Sequence, residues 1–400
     1  MSSKFPLFSF GSINKRLMYP ILTGVSHLII RIGNRIISSQ EPKEDHPVIQ
    51  NFFMFVGEFL AIFLFLIERK LSKCKTYKDK NKKNWISYLR ITGYIFLCCF
   101  IDYVASFALK LVRQGGKGTA FLELVFKLLV IGLTAILAQC MLKTKYYLHH
   151  YIGLVILLFG VGAYGFLSAY TSFDVKAIKS EYCWFLLIYL ICAFLGIIEK
   201  YLMEIEYVNA YLIVAGEGFY GIILSGFSFA ILNEHYPNFI YPTERDEKGN
   251  LIKLNKDYLE GFQYYLNTKP LIGIIIYIIG VTFFNAFKMK TNQAYSPTHR
   301  AIGDNLSGMI FFIVQIFLHD LGDNILIIVL EGISYIIISI GILIFLELII
   351  MHFCGMDNNT RDSINERLDE EKEEVNSIKD LQINIMNENE NNKTVNSVNV

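Results

Sequence analysis

Ten long apolar runs constrain this chain more than any other feature of its sequence. A helix needs about 20 apolar residues to cross the hydrocarbon core of a bilayer, and a soluble domain does not bury ten such runs. Of the 400 residues 53% are apolar, and the charged ones are concentrated between the runs. The sequence therefore predicts an all-α polytopic membrane protein with ten transmembrane helices. The predicted spans are approximately 17–30, 48–67, 89–112, 119–142, 148–169, 184–203, 211–232, 271–294, 301–318 and 325–353.

The charged residues between the spans predict the orientation of the chain. The net charge of +1 gives no indication of a nucleic-acid partner. The loop 68–83 holds eight Lys and Arg residues, which is typical of cytosolic loops. With ten spans, a cytosolic position of this loop places both termini in the cytosol.

Four segments follow from the composition. Residues 1–16 form a short N-terminal segment, predicted to be cytosolic. Residues 17–169 and 184–353 hold five predicted spans each, and the second half contains a long extracytosolic loop at 233–270. Residues 357–400 hold eleven acidic against five basic residues and few large apolar ones, which predicts a disordered acidic cytosolic tail.

The sequence contains no motif for a cofactor or a metal. Its seven cysteines lack the spacing of metal ligands. His149 and His150 are adjacent, but no acidic residue lies at a ligand spacing from them, so we expect no metal site there. Residues 114–119 contain Gly-Lys-Gly-Thr without the first glycine of a phosphate-binding loop, which argues against a nucleotide-driven pump.

Two glutamates lie inside apolar runs, at matching positions of the two halves. Glu58 follows Gly57, and Glu217 follows Gly216. An ionisable group in the middle of a membrane span costs about 2.5–3.5 kcal/mol to insert, so it is usually functional and faces a cavity. We expect these two carboxyl groups either to bind solute or protons, or to hold neighbouring helices together through hydrogen bonds.

The spacing of acidic residues predicts that the two halves are repeats. Glu58 and Glu217 are 159 residues apart, and beyond the long loop an offset of 181 pairs Glu123 with Asp304. The difference of 22 residues equals a plausible insertion in that loop. Because each half has an odd number of spans, the second half must enter the membrane in the opposite sense, as in many carriers.

Other polar residues in the spans are candidates for lining a central cavity. Asp102 and Lys110 are eight residues apart, about two helical turns, and therefore share a face. Glu123 and Lys127 are four apart, in the order that favours an ion pair, so a structural role is equally open for them. Together with the two glutamates, the candidate solute- or proton-binding residues are Glu58, Glu217, Asp102, Lys110, Glu123, Lys127, Asn285, Lys288 and Asp304.

Basic residues collect at the predicted cytosolic ends of spans eight and nine. Lys288, Lys290 and Arg300 would make the inner mouth of a cavity positive, which suits an anionic solute. Alternatively, they reach to the membrane surface and leave the cavity, as long basic side chains often do. We expect Glu199 and Lys200, at the end of span six, to lie at the surface as well.

Glycines seven residues apart predict two packing faces. Gly153 and Gly160 share one face of the fifth span, and Gly273 and Gly280 share one face of the eighth. Small residues let helix backbones approach closely in lipid. We therefore expect each face to pack against another helix.

Short stretches of both halves carry a resemblance to a known family. These stretches are His46-Pro47, Gln50, 54–59 (MFVGEF), Asp102, 198–201 (IEKY), 216–221 (GEGFYG) and 283–285 (FFN). Together they resemble the drug/metabolite transporter superfamily and, within it, the nucleotide-sugar-transporter-like solute carrier 35 group, nearest to its subfamily F. The resemblance covers most of 17–353.

The resemblance implies ten helices in two inverted five-helix repeats. Helices one to four and six to nine would surround a central cavity, and helices five and ten would lie outside it, available for a homodimer contact. It also implies an endomembrane, lysosome-like or Golgi-like, with the plasma membrane as an alternative. In residues 123–127 the basic group expected in the family is shifted, and residues 306–308 lack an expected arginine, so no particular substrate is implied.

These observations predict a secondary-active transporter of the drug/metabolite type. It would move a small polar metabolite, expected to be anionic, such as a nucleotide sugar, by alternating access. Its partners would be this solute and the lipid bilayer, with no cofactor, metal or nucleic acid. The main alternative is a membrane scaffold or receptor with the same fold that does not transport. A membrane enzyme is disfavoured because no cluster of acids, histidines or nucleophiles lies at a span boundary.

Overall fold

The computed structural model describes the larger part of the chain. The described residues are 8–10, 18–38, 47–71, 85–114, 119–172, 181–234, 262–302 except 264, 325–353 and most of 355–371. The side chains of 8–10, 38, 47, 109–129, 168–186, 231–234, 268, 325 and 327 lie outside this description. The predicted ninth span therefore falls almost entirely outside the described residues.

Long helices make up most of the described chain. Their bounds are α1 Met18–Ser38, α2 Pro47–Phe59, α3 Ala61–Leu71, α4 Trp85–Gln114, α5 Thr119–Met141, α6 Leu148–Ser172, α7 Glu181–Glu204, α8 Ala210–Glu234, α9 Thr268–Ala294 and α10 Ile325–Phe345. Residues 297–302 are helical too.

Six apolar segments in the described part of the chain are long enough to cross a bilayer. They are Val48–Leu71, Trp85–Ala108, Leu148–Leu167, Ala210–Ala230, Lys269–Ala294 and Ile328–Phe345. Many of their large apolar side chains are exposed, as expected for surfaces that face lipid rather than water. The chain is thus consistent with an all-α membrane protein.

The second predicted span is interrupted at Leu60, two residues after Glu58. The Leu60 N–H still donates to the carbonyl of Val56 at 3.1 Å, but the Phe63 N–H donates to the Leu60 carbonyl at 3.0 Å, which is a 3₁₀ contact. The interruption separates α2 from α3 near the middle of the span. Interrupted helices in carriers often mark the place where solute or ions bind.

Helices of the first half pack mainly on helices of the second. Helix α1 packs against α9, and α4 against α7. Helix α2 contacts α8 and α9, α4 also contacts α8, and α6 packs against α10. The core between the two halves therefore depends on contacts between residues far apart in the sequence.

Glycines mediate the close helix contacts, which confirms both predicted packing faces. A Cβ added to Gly273 would lie 3.0 Å from the carbonyl oxygen of Gly33 on α1. A Cβ added to Gly153 would lie 2.7 Å from the backbone nitrogen of Phe345 and 2.9 Å from the carbonyl oxygen of Gly341 on α10. The glycine face of α6 is therefore used within the chain.

We expect Gly153→Val to destabilise the protein, because the new methyl groups would push α10 away. Overpacking of this kind costs about 1–3 kcal/mol. Gly162→Val on the same helix is a matched control, since a Cβ at Gly162 meets nothing within 4 Å. Thermal unfolding of the purified protein in detergent measures both changes. Equal unfolding temperatures for the two variants would contradict the packing described for α6 and α10.

A short antiparallel sheet joins the segment before α1 to the segment after α10. Strand β1, Phe8–Phe10, pairs with β2, Ile349–Met351, with Phe8 opposite Met351. Helix α10 ends at Phe345, earlier than the predicted limit of 353, because the chain turns through Glu347, which has a φ of 57°.

The beginning of the predicted disordered tail is folded. A 3₁₀ helix covers Asp357–Asn359, and the Thr360 hydroxyl donates to the carbonyl of Asp357 at 3.1 Å. Several residues between 363 and 371 are helical. The structure therefore differs from the prediction at the start of the tail, and residues 372–400 lie outside the described part.

A buried carboxyl pair as candidate functional site

Helices α2 and α8 cross at the two glutamates, and glycines allow the crossing. A Cβ added to Gly218 would overlap the backbone nitrogen of Phe59 and lie 2.7 Å from the carbonyl carbon of Glu58. A Cβ added to Gly221 would overlap the ring of Phe55. The two backbones therefore touch where Glu58 and Glu217 lie. The glycines of residues 216–221 on α8 make room for residues 54–59 of α2.

Glu58 is held by α9. Glu58 is only 3% exposed, and Asn285 Nδ2 donates to Glu58 Oε1 at 2.7 Å. The hydroxyl of Thr282, one helical turn earlier on α9, donates to the carbonyl of Gly57 at 2.7 Å. The other carboxyl oxygen, Oε2, is buried and has no hydrogen-bond partner among the described residues.

Glu217 is buried in a similar way on α8. It is 6% exposed, and its Oε1 has no hydrogen-bond partner in the described part of the chain. It is close enough to Glu58 for the two carboxyl groups to interact electrostatically. A buried carboxyl oxygen without a donor is costly, so each of these groups is available for a proton or for a polar solute.

Asp102 and Lys288 are charged groups near the pair, and Arg300 also acts electrostatically on Glu58. The first two are close enough to act electrostatically on Glu58 and on Glu217. The Lys288 ammonium also lies 5.3 Å from the centre of the Phe284 ring, within the range of a cation–π contact. Glu58, Glu217, Asp102 and Lys288 therefore influence one another here, together with Arg300, whose charge is offset by Glu199.

The structure brings together five of the nine candidate residues. These are Glu58, Glu217, Asp102, Asn285 and Lys288. Lys110, Glu123 and Lys127 belong to α4 and α5, but their side chains lie outside the description, and Asp304 lies outside it entirely. The role of these four residues stays a prediction.

Two of the three basic residues predicted at the inner mouth are instead paired with acids. Lys290 Nζ donates to Glu68 Oε1 at 2.7 Å, and Asn209 Nδ2 donates to Glu68 Oε2 at 2.8 Å. Arg300 forms an ion pair with Glu199, which is only 1% exposed. Their positive charge is therefore largely neutralised, whereas Lys288 acts electrostatically on both groups of the carboxyl pair.

Glu199 and Lys200 are buried, which differs from the surface position expected for them. Lys200 is 3% exposed and donates from Nζ to the carbonyls of Asn292, Gln293 and Tyr295, at 2.8, 3.0 and 3.0 Å. These carbonyls belong to the end of α9, where the last helical carbonyls lack backbone donors. The Lys200 ammonium thus fastens the end of α9 to α7.

Residues that the sequence analysis missed surround the carboxyl pair. The Tyr103 hydroxyl donates to Ser228 Oγ at 2.6 Å, and the Tyr103 ring stacks on Phe55 with 5.7 Å between centroids. Cys99 is fully buried beside them. None of these residue types is unusual in a membrane span, so only their position in the fold reveals them.

A groove of about 1190 Å³ lies next to the pair, between α3, α4 and α8. Its walls include Phe59 and Gly216, the neighbours of the two glutamates in sequence, and Ile95 on α4. Glu68 and Arg69 lie at its polar end. The groove therefore connects the ion-paired end of the spans with the level of the carboxyl pair.

Neither a family model nor a curated protein matches the sequence. Solved structures do match. One, described only as the crystal structure of a protein, has a TM-score of 0.50 and 11% identity, covering 82% of this chain and 98% of that chain. A similarity at this level bears on the fold alone.

Proposed function

We propose that this chain is a secondary-active carrier of the drug/metabolite transporter type, which moves a small polar solute by alternating access. The observation that carries the proposal is the Glu58–Glu217 pair. The two groups are buried where a helix of each half crosses, and each has a carboxyl oxygen without a donor among the described residues. Buried ionisable groups in membrane spans usually serve binding or proton transfer.

The helix contacts support an arrangement of ten helices as two inverted repeats. In that arrangement α1 corresponds to α7, α2 to α8, α4 to α9 and α6 to α10. Exchanging the halves turns the α1–α9 contact into α7–α4 and the α2–α9 contact into α8–α4, and all four contacts are present. In agreement, Gly57 packs on α9 at Val281, and Gly216 packs on α4 at Ile95.

The pairing of the two strands supports an even number of spans. Strand β1 precedes the first helix and β2 follows α10, and they are hydrogen-bonded to each other. This pairing supports positions of the two segments on the same side of the membrane. Together with the basic loop 68–83, this supports cytosolic positions for both. An endomembrane location and a homodimer through the outer faces of α6 and α10 stay predictions.

The charges at the site support coupling of transport to protons. Glu58, Glu217, Asp102 and Lys288 would leave a net charge of about −2 if all were ionised, since Glu199 offsets the charge of Arg300, and an anionic solute would be repelled. Two carboxyl groups that face each other in a low dielectric can share a proton. We therefore propose that protons enter the site with the anionic solute, which removes the repulsion.

Ion pairs between the halves would form the inner gate of such a carrier. Glu68 of the first half binds Lys290 and Asn209 of the second. Arg90 Nη2 of the first half lies 2.5 Å from Glu206 Oε1 of the second. These contacts lie at one end of the spans. They must break before that end can open.

We expect Glu68→Gln to open the inner end more often, because it removes the ion pair with Lys290. The pair is partly exposed, so the change in free energy is about 1 kcal/mol, or about fivefold in population. The buried thiols of Cys98 and Cys99 report the opening, as a membrane-impermeant maleimide should label them about fivefold faster. Glu204→Gln, which removes the exposed partner of Lys200, is the control. Equal labelling rates for both variants would contradict the gate.

Counterflow uptake into proteoliposomes tests the proposed function. The screen covers nucleotide sugars, nucleotides, other organic anions, amino acids and organic cations, with and without a pH gradient. Saturable uptake of one class supports the carrier and names its solute. Two results together would favour the scaffold instead. The first is no uptake of any solute by folded, correctly oriented protein. The second is a cellular phenotype that deletion of 372–400 abolishes and Glu58→Gln leaves intact.

A further inference from the structure

Two histidines and a glutamate meet at the end of α6. His149 and His150 lie in its first turn, and Glu347 follows the end of α10. Glu347 Oε1 lies 3.1 Å from His149 Nε2 and 3.7 Å from His150 Nε2. The sequence analysis expected no acidic partner for these histidines. The fold supplies one from 198 residues further along the chain.

The three side chains are buried and positioned by the fold. His149, His150 and Glu347 are 3%, 8% and 7% exposed. Glu347 has a φ of 57°, in the left-handed region that non-glycine residues rarely adopt. This conformation turns the chain from α10 toward β2 at the residue whose carboxyl group contacts the histidines.

Few other polar contacts fix the two imidazole rings. His149 Nδ1 is buried and has no hydrogen-bond partner among the described residues, so the hydrogen bonding of this ring goes through Nε2. His150 Nδ1 accepts a 3.3 Å hydrogen bond from the backbone N–H of Tyr147. The ring of His299 lies farther away, with its centroid 6.2 Å from that of His150.

We propose that His149, His150 and Glu347 form a binding site for a divalent transition-metal ion of the zinc class. Imidazole nitrogens and a carboxylate oxygen are ligands that zinc prefers, with bonds of about 2.0–2.2 Å. Ligand atoms around a tetrahedral ion with such bonds are about 3.3–3.6 Å apart. The three ligand atoms lie within 4.8 Å of one another, with the two spacings above close to this range.

Binding requires a change of tautomer at His150, with no net loss of a ring proton. The hydrogen bond from Tyr147 leaves the proton of neutral His150 on Nε2, toward Glu347. Coordination through Nε2 moves the remaining ring proton to Nδ1, so the long Tyr147 bond must open. The N–H groups of a first helical turn lack backbone partners anyway, so this change is confined to the end of α6.

The site would join α6, α10 and the paired strands at one end of the membrane spans. It lies outside the carboxyl pair and does not depend on the proposed transport. Its role is therefore to fasten the outer helices of the two halves to each other. A site with three protein ligands also keeps a fourth position for water or for a ligand from elsewhere.

Titration calorimetry with Zn²⁺ tests the site on the full-length protein, purified without a histidine tag and stripped with a chelator. We expect one Zn²⁺ per chain and a higher unfolding temperature with zinc than with chelator. Co²⁺ should show the visible absorption of a tetrahedral complex. Glu347→Gln keeps an oxygen that can accept the imidazole hydrogen bonds but loses the charge. It should weaken zinc binding at least tenfold, as should His150→Ala.

His352→Ala is the matched control, because His352 lies beside Asp357 beyond strand β2. It should bind zinc as the unchanged chain does. The proposal is overturned if Glu347→Gln and His150→Ala bind zinc with unchanged affinity, or if the unchanged chain binds none. Unfolding temperatures in chelator establish that each variant is folded.

Discussion

Replacing both Glu58 and Glu217 with glutamine is expected to abolish proton-driven uptake. Glutamine has nearly the same shape and can still accept the Asn285 hydrogen bond at position 58, so the crossing of α2 and α8 should persist. The amide cannot take up or release a proton. Loss of the groups that move protons commonly reduces rates by about 100-fold or more, and we expect at least this loss of uptake under a pH gradient.

The matched control for this double variant is Glu331→Gln. Glu331 lies on α10 in another membrane span and is only partly buried. This variant should keep uptake close to that of the unchanged chain. Unfolding temperatures for both variants separate lost function from lost structure. Uptake retained in a folded Glu58→Gln/Glu217→Gln protein would assign the pair a purely structural role.

Gly218→Val is expected to cause the largest loss of stability. The added methyl groups would collide with the backbone of α2 at Phe59 and Glu58, and backbone cannot move aside as a side chain can. Overpacking of a core costs about 1–3 kcal/mol and occasionally more, and we expect about 3 kcal/mol or more here. Thermal unfolding in detergent should show a clearly lowered midpoint.

Gly226→Val on the same helix is the control for this prediction. A Cβ at Gly226 meets nothing within 4 Å, so the substitution should have little effect. Comparing the two removes the general effect of valine on a helix. A Gly218→Val protein as stable as Gly226→Val would mean that α2 and α8 do not touch at the carboxyl pair.

Features set by local sequence could be predicted well. The membrane segments follow from runs of apolar residues, since the cost of burying polar groups in lipid leaves few alternatives. The packing faces at Gly153 and Gly273 follow from spacing along one helix. The importance of Glu58 and Glu217 follows from the cost of placing a carboxyl group in such a run.

Features that depend on the partner helix could not be predicted. The sequence alone does not reveal an acidic partner for Lys290 or Arg300. In the fold, Glu68 and Glu199 neutralise them. Those partners lie on other helices, at distances that no spacing rule covers. The same holds for Glu347, which reaches the adjacent histidines only because α10 packs along α6.

The interruption at Leu60 has a similar explanation. Residues 56–61 contain one glycine and otherwise favour an uninterrupted helix. The close contacts of Gly57 with α9 and of Phe59 with Gly218 of α8 constrain the backbone there. An interruption that tertiary contacts impose leaves no local signal in the sequence.

Proton binding that accompanies solute binding is the most direct test of the central claim, which is that the Glu58–Glu217 pair couples solute to protons. Solute from the counterflow screen is added to the purified protein in a weakly buffered solution, and the change in pH is recorded. We predict proton uptake by the unchanged chain and none by the Glu58→Gln/Glu217→Gln variant. Solute binding without proton uptake by the unchanged chain, or equal proton uptake by both proteins, would contradict the account.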